Sequence, residues 1–189
     1  ASFSGSVYYD KIELSPVVSP GLVWNVNPDN DTVSAIDANT STQVYEIPVG
    51  SNPKSLALAP NNLLWVVNKG DASISVIDRS TGGVDALYSL PYASAPHAIV
   101  IDKLNNHAYI SLEALGQVVK LDLSNGTIIA TLAVGEWPRG LSLDFENNSL
   151  WVSRFISPED AGKISKIGLS TFVLQSVVDL AIVNEADSP

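Results

Sequence analysis

The sequence predicts an all-β fold made of four copies of one four-stranded unit, and three repeated marks lead to this prediction. The first mark is an aromatic residue within a short apolar run, at Trp24, Trp65, Tyr109 and Trp151. The second is a following run whose last residues are Asp37, Asp78, Asp122 and Gly168. The third is a proline that opens each later copy, at Pro53, Pro96 and Pro138. The aromatic residues are 41, 44 and 42 positions apart, and a four-stranded β-propeller blade has roughly 40–45 residues.

The interior of each copy follows the same order. An apolar stretch after the proline leads to an Asn-rich turn, and the aromatic strand and a polar loop come next. The run ending in Asp, a turn and a last strand complete the copy. No long stretch shows a helical period. Runs such as LLWVV, LALA and AIVI are apolar at consecutive positions, as strands covered on both faces are. We therefore predict one β-propeller domain over residues 1–189, with antiparallel blades at about 7–50, 51–93, 94–135 and 136–180.

The first two copies resemble the YVTN β-propeller repeat. The resemblance rests on VWNVNPDNDTVSAIDANTSTQVYEIPVGSNP and LWVVNKGDASISVIDRSTGGV, and it extends more loosely over residues 20–180. In the looser copies Glu113 and Arg154 fall near positions where the first copies begin a polar loop, and Gly168 replaces the aspartate. The resemblance implies similarity to cell-surface proteins and to propeller enzymes such as streptogramin lyases and lactonases.

The resemblance also implies a ring of seven blades, so we expect the chain to be part of a larger propeller. Its last residues, DSP, resemble the SNP, SAP and EWP that open blades. The segment Ser6–Leu14 is expected to supply the innermost strand of the first blade. Two alternatives stay open, a true four-bladed propeller and a ring assembled from two half-propellers. An open array exposes the face of its last blade and is expected to self-associate.

Composition excludes several classes of function. Ten Lys and Arg stand against 20 Asp and Glu, a net charge of −10. This balance argues against binding to nucleic acid. No apolar run reaches the length of a membrane span. Cysteine is absent, so disulfides and thiolate metal sites are excluded. The absence of Met and the sequons at Asn30, Asn39, Asn125 and Asn147 lead us to expect an extracellular, periplasmic or cell-surface protein with glycosylation candidates.

The candidate ligand site consists of the residues that follow the repeat prolines, namely Lys54, His97 and Arg139. In a propeller the innermost strands begin here, so equivalent residues form a ring at one mouth of the central channel. Such donors suit a small anion, a carboxylate or a phosphate. A loop position that merely tolerates long polar side chains is the alternative.

Catalytic and metal sites receive less support. The resemblance to streptogramin lyases points to a channel histidine as base, which here is His97, but the sequence identifies no partner for it. His107 is interpreted as a turn residue. Asp29–Asp31 and Glu159–Asp160 are short acidic clusters, insufficient alone for calcium, and we predict no metal or cofactor. The repeated aromatic residues are interpreted as packing between blades rather than as a sugar platform.

We therefore expect a binding, interaction or structural module, rather than an enzyme, whose partner is a protein or a small anion. The alternative is a propeller enzyme of the lyase or lactonase type that works at the channel mouth.

Overall fold

The computed structural model describes residues 21–155 and 162–180. The proposed strand Ser6–Leu14, the terminal DSP and the pair Glu159–Asp160 lie outside this part of the chain. The described residues form four antiparallel sheets. Sheet 1 contains β1 (Leu22–Asn27), β2 (Thr32–Asp37) and β3 (Gln43–Pro48). Sheet 2 contains β4 (Pro53–Leu58), β5 (Leu63–Asn68), β6 (Ser73–Asp78) and β7 (Gly83–Ser89).

Sheet 3 contains β8 (Pro96–Asp102), β9 (His107–Leu112), β10 (Gln117–Asp122) and β11 (Ile128–Ala133). Sheet 4 contains β12 (Pro138–Asp144), β13 (Ser149–Arg154), β14 (Lys163–Gly168) and β15 (Leu174–Asp179). In sheets 2 to 4 the strands pair in chain order. Within the described ranges the only helix is one 3-10 turn, Glu113–Leu115, and no helix there could cross a membrane. The all-β prediction with four-stranded antiparallel units is confirmed.

The repeated aspartates stabilise turns between strands. The Oδ1 atom of Asp37 accepts hydrogen bonds from the backbone N–H groups of Asn39 and Thr40. Asp78 and Asp122 accept in the same way from Ser80 and Ser124, each at 2.8 Å. This Asx geometry closes the turn before the outer strand and explains why the second sequence mark ends in Asp.

The first strands of sheets 2 to 4 lie side by side along the inner edge of the array, since β4 contacts β8 and β8 contacts β12. The second strands carry the core. In β5 every residue after the first is buried, and the same holds for β9. The expectation of coverage on both faces is therefore confirmed for LLWVV. It is wrong for LALA and AIVI, which are only partly buried, because one edge of each first strand faces the centre of the array.

Side chains from one sheet fill the space left by the next. Tyr45 of sheet 1 packs on Gly82 of sheet 2, and Tyr88 of sheet 2 packs on Gly126 of sheet 3. Both glycines have a positive φ, 71° and 70°, and neither could carry a Cβ without displacing the tyrosine ring. Between sheets 3 and 4 the sizes of the two side chains are reversed. Leu132 takes the place of the tyrosine and Phe172 takes the place of the glycine, and both pack in the cluster between these sheets. Both arrangements fill the gap between neighbouring sheets, as the close packing of protein interiors requires.

Candidate functional site

The three predicted site residues occupy equivalent places in the structure. Lys54, His97 and Arg139 are each the second residue of a first strand, β4, β8 and β12. The pairing with the second strand shifts register at this point in all three sheets. Such bulges redirect side chains and are common beside functional sites. We call the end of the array where these three strands begin the mouth.

A buried serine holds two of the three bulges in place. The hydroxyl of Ser111, which is fully buried, accepts the N–H of Ala98 at 3.0 Å and donates to the carbonyl oxygen of Arg139 at 2.8 Å. It thereby joins the bulge of β8 to that of β12. The mouth residues are therefore positioned by rigid strands of neighbouring sheets.

The loops entering the first strands repeat one backbone device. The residue before each repeat proline, Asn52, Ala95 or Trp137, has a positive φ of 53°, 47° or 55°. Its carbonyl accepts the N–H of the first residue after the second strand, which is Lys69, Glu113 or Phe155. This contact brings a second set of equivalent side chains to the mouth, beside the first.

Glu113 joins three sheets at the mouth. Its side chain is 4% exposed. Oε2 accepts a hydrogen bond from Lys69 Nζ of sheet 2 at 2.6 Å, and Oε1 accepts from Arg139 of sheet 4, with Nη2 at 2.7 Å and Nε at 3.1 Å. Burial raises the pKa of Glu113, but hydrogen bonds from Arg139 and Lys69 outweigh it and lower the pKa below its usual value. Glu113 is therefore ionised at neutral pH.

His97 lies within the field of the same groups. Burial is the largest cause that lowers the pKa of its imidazole, and the charges of Arg139, Lys69 and Lys54 lower it further, whereas Glu113 raises it. The net pKa lies below the usual 6.5, so His97 is neutral at pH 7. The mouth thus holds the cations Lys54, Lys69 and Arg139 and the buried carboxylate of Glu113. Asp31 and Asp71 accept hydrogen bonds from the loop that enters β4, and Glu136 lies in the loop that enters β12.

Aromatic side chains flank the cations. The guanidinium of Arg139 lies over the ring of Phe155, with 3.4 Å from Cζ to the ring centroid, a favourable cation–π geometry. Trp137, two residues before Arg139, is 42% exposed. It lines a cavity of about 310 Å³ together with Glu113 and Glu136.

Acidification is expected to destabilise the protein in two steps. An unfolded histidine takes up a proton near pH 6.5, whereas folded His97 and His107 resist protonation, so the unfolded state binds more protons and stability falls as the pH drops below this value. Glu113 adds a second loss below its unfolded value of 4.5, as the pH approaches its lowered folded pKa. Urea unfolding between pH 8 and pH 5 measures the first step. His97→Gln should make that step smaller, and an unchanged pH dependence in this variant would contradict the assignment.

The sequence prediction brought together Lys54, His97 and Arg139, and the structure places their strands side by side. It missed the ion pairs of Lys69 and Glu113, although both residues directly follow an aromatic strand.

The acidic cluster Asp29–Asp31 has a structural contact. Asp31 accepts a hydrogen bond from the N–H of Asn52 at 2.6 Å, which links sheets 1 and 2. Among the described residues no group of three potential ligands could hold a metal ion.

Comparison with solved structures identifies the fold. Hydrazine synthase from Kuenenia stuttgartiensis matches with a TM-score of 0.76 and 16% identity, over 84% of this chain and 46% of that chain. Virginiamycin B lyase from Staphylococcus aureus matches with a TM-score of 0.68 and 20% identity, over 88% and 54%. Sqt1 from Saccharomyces cerevisiae matches with a TM-score of 0.65 and 18% identity, over 78% and 42%.

These neighbours are β-propeller proteins, and the predicted β-propeller fold is confirmed. The chain spans about half the length of the neighbours it matches. No protein-family model matches the chain, and a search of curated proteins gives no match.

Proposed function

We propose that this protein is a propeller module that binds a small anion, a carboxylate or a phosphate, at the mouth. The observation that carries the proposal is that Lys69 and Arg139 both bind one buried carboxylate, Glu113, and that Lys54 and His97 lie at the same end of the array, in a chain of net charge −10. Glu113 balances only one of the two cations that bind it, and Lys54 adds a further donor at the same end of the array. An anion gains charge-assisted hydrogen bonds from such donors.

Lys54→Ala is expected to weaken binding of acetate or inorganic phosphate about tenfold, the effect of one charge-assisted hydrogen bond. Isothermal titration calorimetry at constant ionic strength measures the change. Lys103→Ala removes the same charge from an exposed turn of sheet 3 and should leave the affinity unchanged. Equal losses in both variants would mean that only net charge matters, and the proposal would fail.

We further infer that the blades are of the YVTN type and that the protein is extracellular, periplasmic or at the cell surface. The asparagines of all four sequons, Asn30, Asn39, Asn125 and Asn147, are exposed in turns, which supports their role as glycosylation candidates. Three of them lie in turns at the end of the sheets opposite the mouth, since strand direction alternates from one strand to the next. Glycans there would leave the mouth accessible.

A lyase or lactonase activity at the mouth is a second candidate. The observation that favours it is that His97 is neutral and lies among cations that could stabilise an anionic transition state. A catalytically inactive variant of virginiamycin B lyase, with a histidine replaced by alanine, is known with quinupristin. If His97 is a base, turnover of quinupristin should occur and should be lost in His97→Ala, with anion binding retained. Absence of turnover in the unaltered protein would contradict this candidate for that substrate.

A further inference from the structure

A cavity beside the mouth extends the proposed anion site. Its volume is about 310 Å³, and its lining consists of Glu113, Ala114, Leu115, Gly116, Glu136 and Trp137. It lies between the 3-10 turn of sheet 3 and the loop that enters β12. The two walls approach closely, because a Cβ at Gly116 would lie 3.0 Å from the carbonyl oxygen of Gly135. Glu113 lines this cavity and also binds Arg139, so the cavity adjoins the ion pair at the mouth.

Trp137 gives the cavity an aromatic wall. The same backbone position is Asn52 in sheet 2 and Ala95 in sheet 3, and all three residues have a positive φ. A bulky side chain is unfavourable in this conformation, and only sheet 4 carries a large ring there. The ring is 42% exposed and is therefore available to a ligand. Strained positions of this kind are often found at ligand-binding sites.

The carboxylates of Glu113 and Glu136 indicate which other groups the ligand must carry. Both oxygens of Glu113 already accept hydrogen bonds from Lys69 and Arg139, whereas Glu136 lines the cavity from the loop before β12. An ionised carboxylate only accepts hydrogen bonds. Glu136 therefore repels a simple anion and favours a ligand that brings hydroxyl donors with its negative charge.

We propose that the mouth and this cavity together bind a sugar acid of the hexuronate type, an inference that rests on the proposed anion site. The carboxylate of the sugar binds Arg139, which also binds Glu113 of the cavity wall. Its hydroxyls donate to Glu136, and the apolar face of its ring stacks on Trp137. This arrangement uses the cation, the acceptor and the aromatic wall at once, which neither a simple carboxylate nor a neutral sugar does.

Calorimetric titration with sodium glucuronate, sodium acetate, sodium benzoate and glucose tests the inference. Glucuronate is expected to bind about tenfold more tightly than acetate, as one or two further hydrogen bonds would give, and more tightly than glucose. Trp137→Gly should remove this advantage and leave acetate binding unchanged. Glycine suits the positive φ at this position, so the variant retains the backbone. Ala95→Gly, the equivalent change in sheet 3, is the matched control and should affect neither ligand.

The variant Glu136→Gln distinguishes a sugar acid from other carboxylic acids that carry a ring, such as benzoate. It should weaken glucuronate and strengthen acetate, because it removes both an acceptor and a repulsive charge. The sugar inference is overturned if glucuronate binds no more tightly than acetate, or if glucose binds as tightly as glucuronate. It is also overturned if benzoate, like glucuronate, binds more tightly than acetate and Glu136→Gln leaves the affinity for glucuronate unchanged. In those cases acetate binding that depends on Lys54 still supports the anion site. If neither acetate nor glucuronate binds, the anion site and the sugar inference both fail.

Discussion

Trp65→Ala is expected to lower the free energy of unfolding by about 3–5 kcal/mol, the usual loss for a buried large aromatic side chain. Trp65 is 1% exposed and packs in the cluster that joins sheets 2 and 3, in contact with residues of both. It also packs against Tyr88, with ring centroids 5.4 Å apart. Removing the indole leaves a cavity that rigid sheets cannot close. Chemical denaturation followed by circular dichroism measures the loss.

Trp151→Ala is the matched control, since Trp151 occupies the equivalent strand position in sheet 4. Its ring is only partly buried and lies on the face of sheet 4 that no further described sheet covers, with Lys166 Nζ 5.3 Å from the ring centroid. We expect a loss of about 1 kcal/mol, because fewer contacts are removed. Equal losses for the two variants would contradict the stacking order of the sheets.

Glu113→Gln is expected to destabilise the protein by about 2–3 kcal/mol and to increase its affinity for acetate. Stability falls because Lys69 and Arg139, with side chains 25% and 29% exposed, lose the carboxylate that compensates their partial burial. Affinity rises because the same cations then face the mouth without an internal counter-ion. Denaturation and calorimetry on one variant measure both effects.

Asp85→Asn is the control for Glu113→Gln, because it removes the same charge from an exposed position on β7. It should change neither stability nor acetate affinity by much. If Glu113→Gln lowers stability without raising the affinity, Lys69 and Arg139 act only as structural partners of Glu113. The opposite signs of the two effects therefore distinguish a binding site from a structural ion pair.

The repeat was predictable because the strongest constraints on it are local. Trp65 and Tyr109 are buried at equivalent strand positions, and Asp78 closes a turn with a residue two positions away. Spacing along the chain therefore reveals them. The partial burial of the first strands was not predicted, because an apolar run does not show how fully the neighbouring sheets cover a strand.

The candidate site was predicted only in part, for the same reason. The repeat prolines located Lys54, His97 and Arg139, since equivalent positions of successive blades converge at one end. The pairs that Glu113 forms with Lys69 and Arg139 join residues 44 and 26 positions away in the chain. Their geometry depends on how neighbouring sheets are rotated and stacked, which a single sequence does not specify. Likewise, the sequence does not show that Leu132 and Phe172 fill the gap between sheets 3 and 4 that Tyr88 and Gly126 fill between sheets 2 and 3.

Chemical-shift mapping of the backbone amides during titration with sodium acetate, at constant ionic strength, tests the anion-binding mouth most directly. The largest shifts are expected at Lys54, His97 and Arg139 and in the 3-10 turn that begins with Glu113. These shifts should saturate together, with one dissociation constant. Shifts centred on exposed lysines away from the mouth, such as Lys103, or an absence of saturating shifts, would contradict the account.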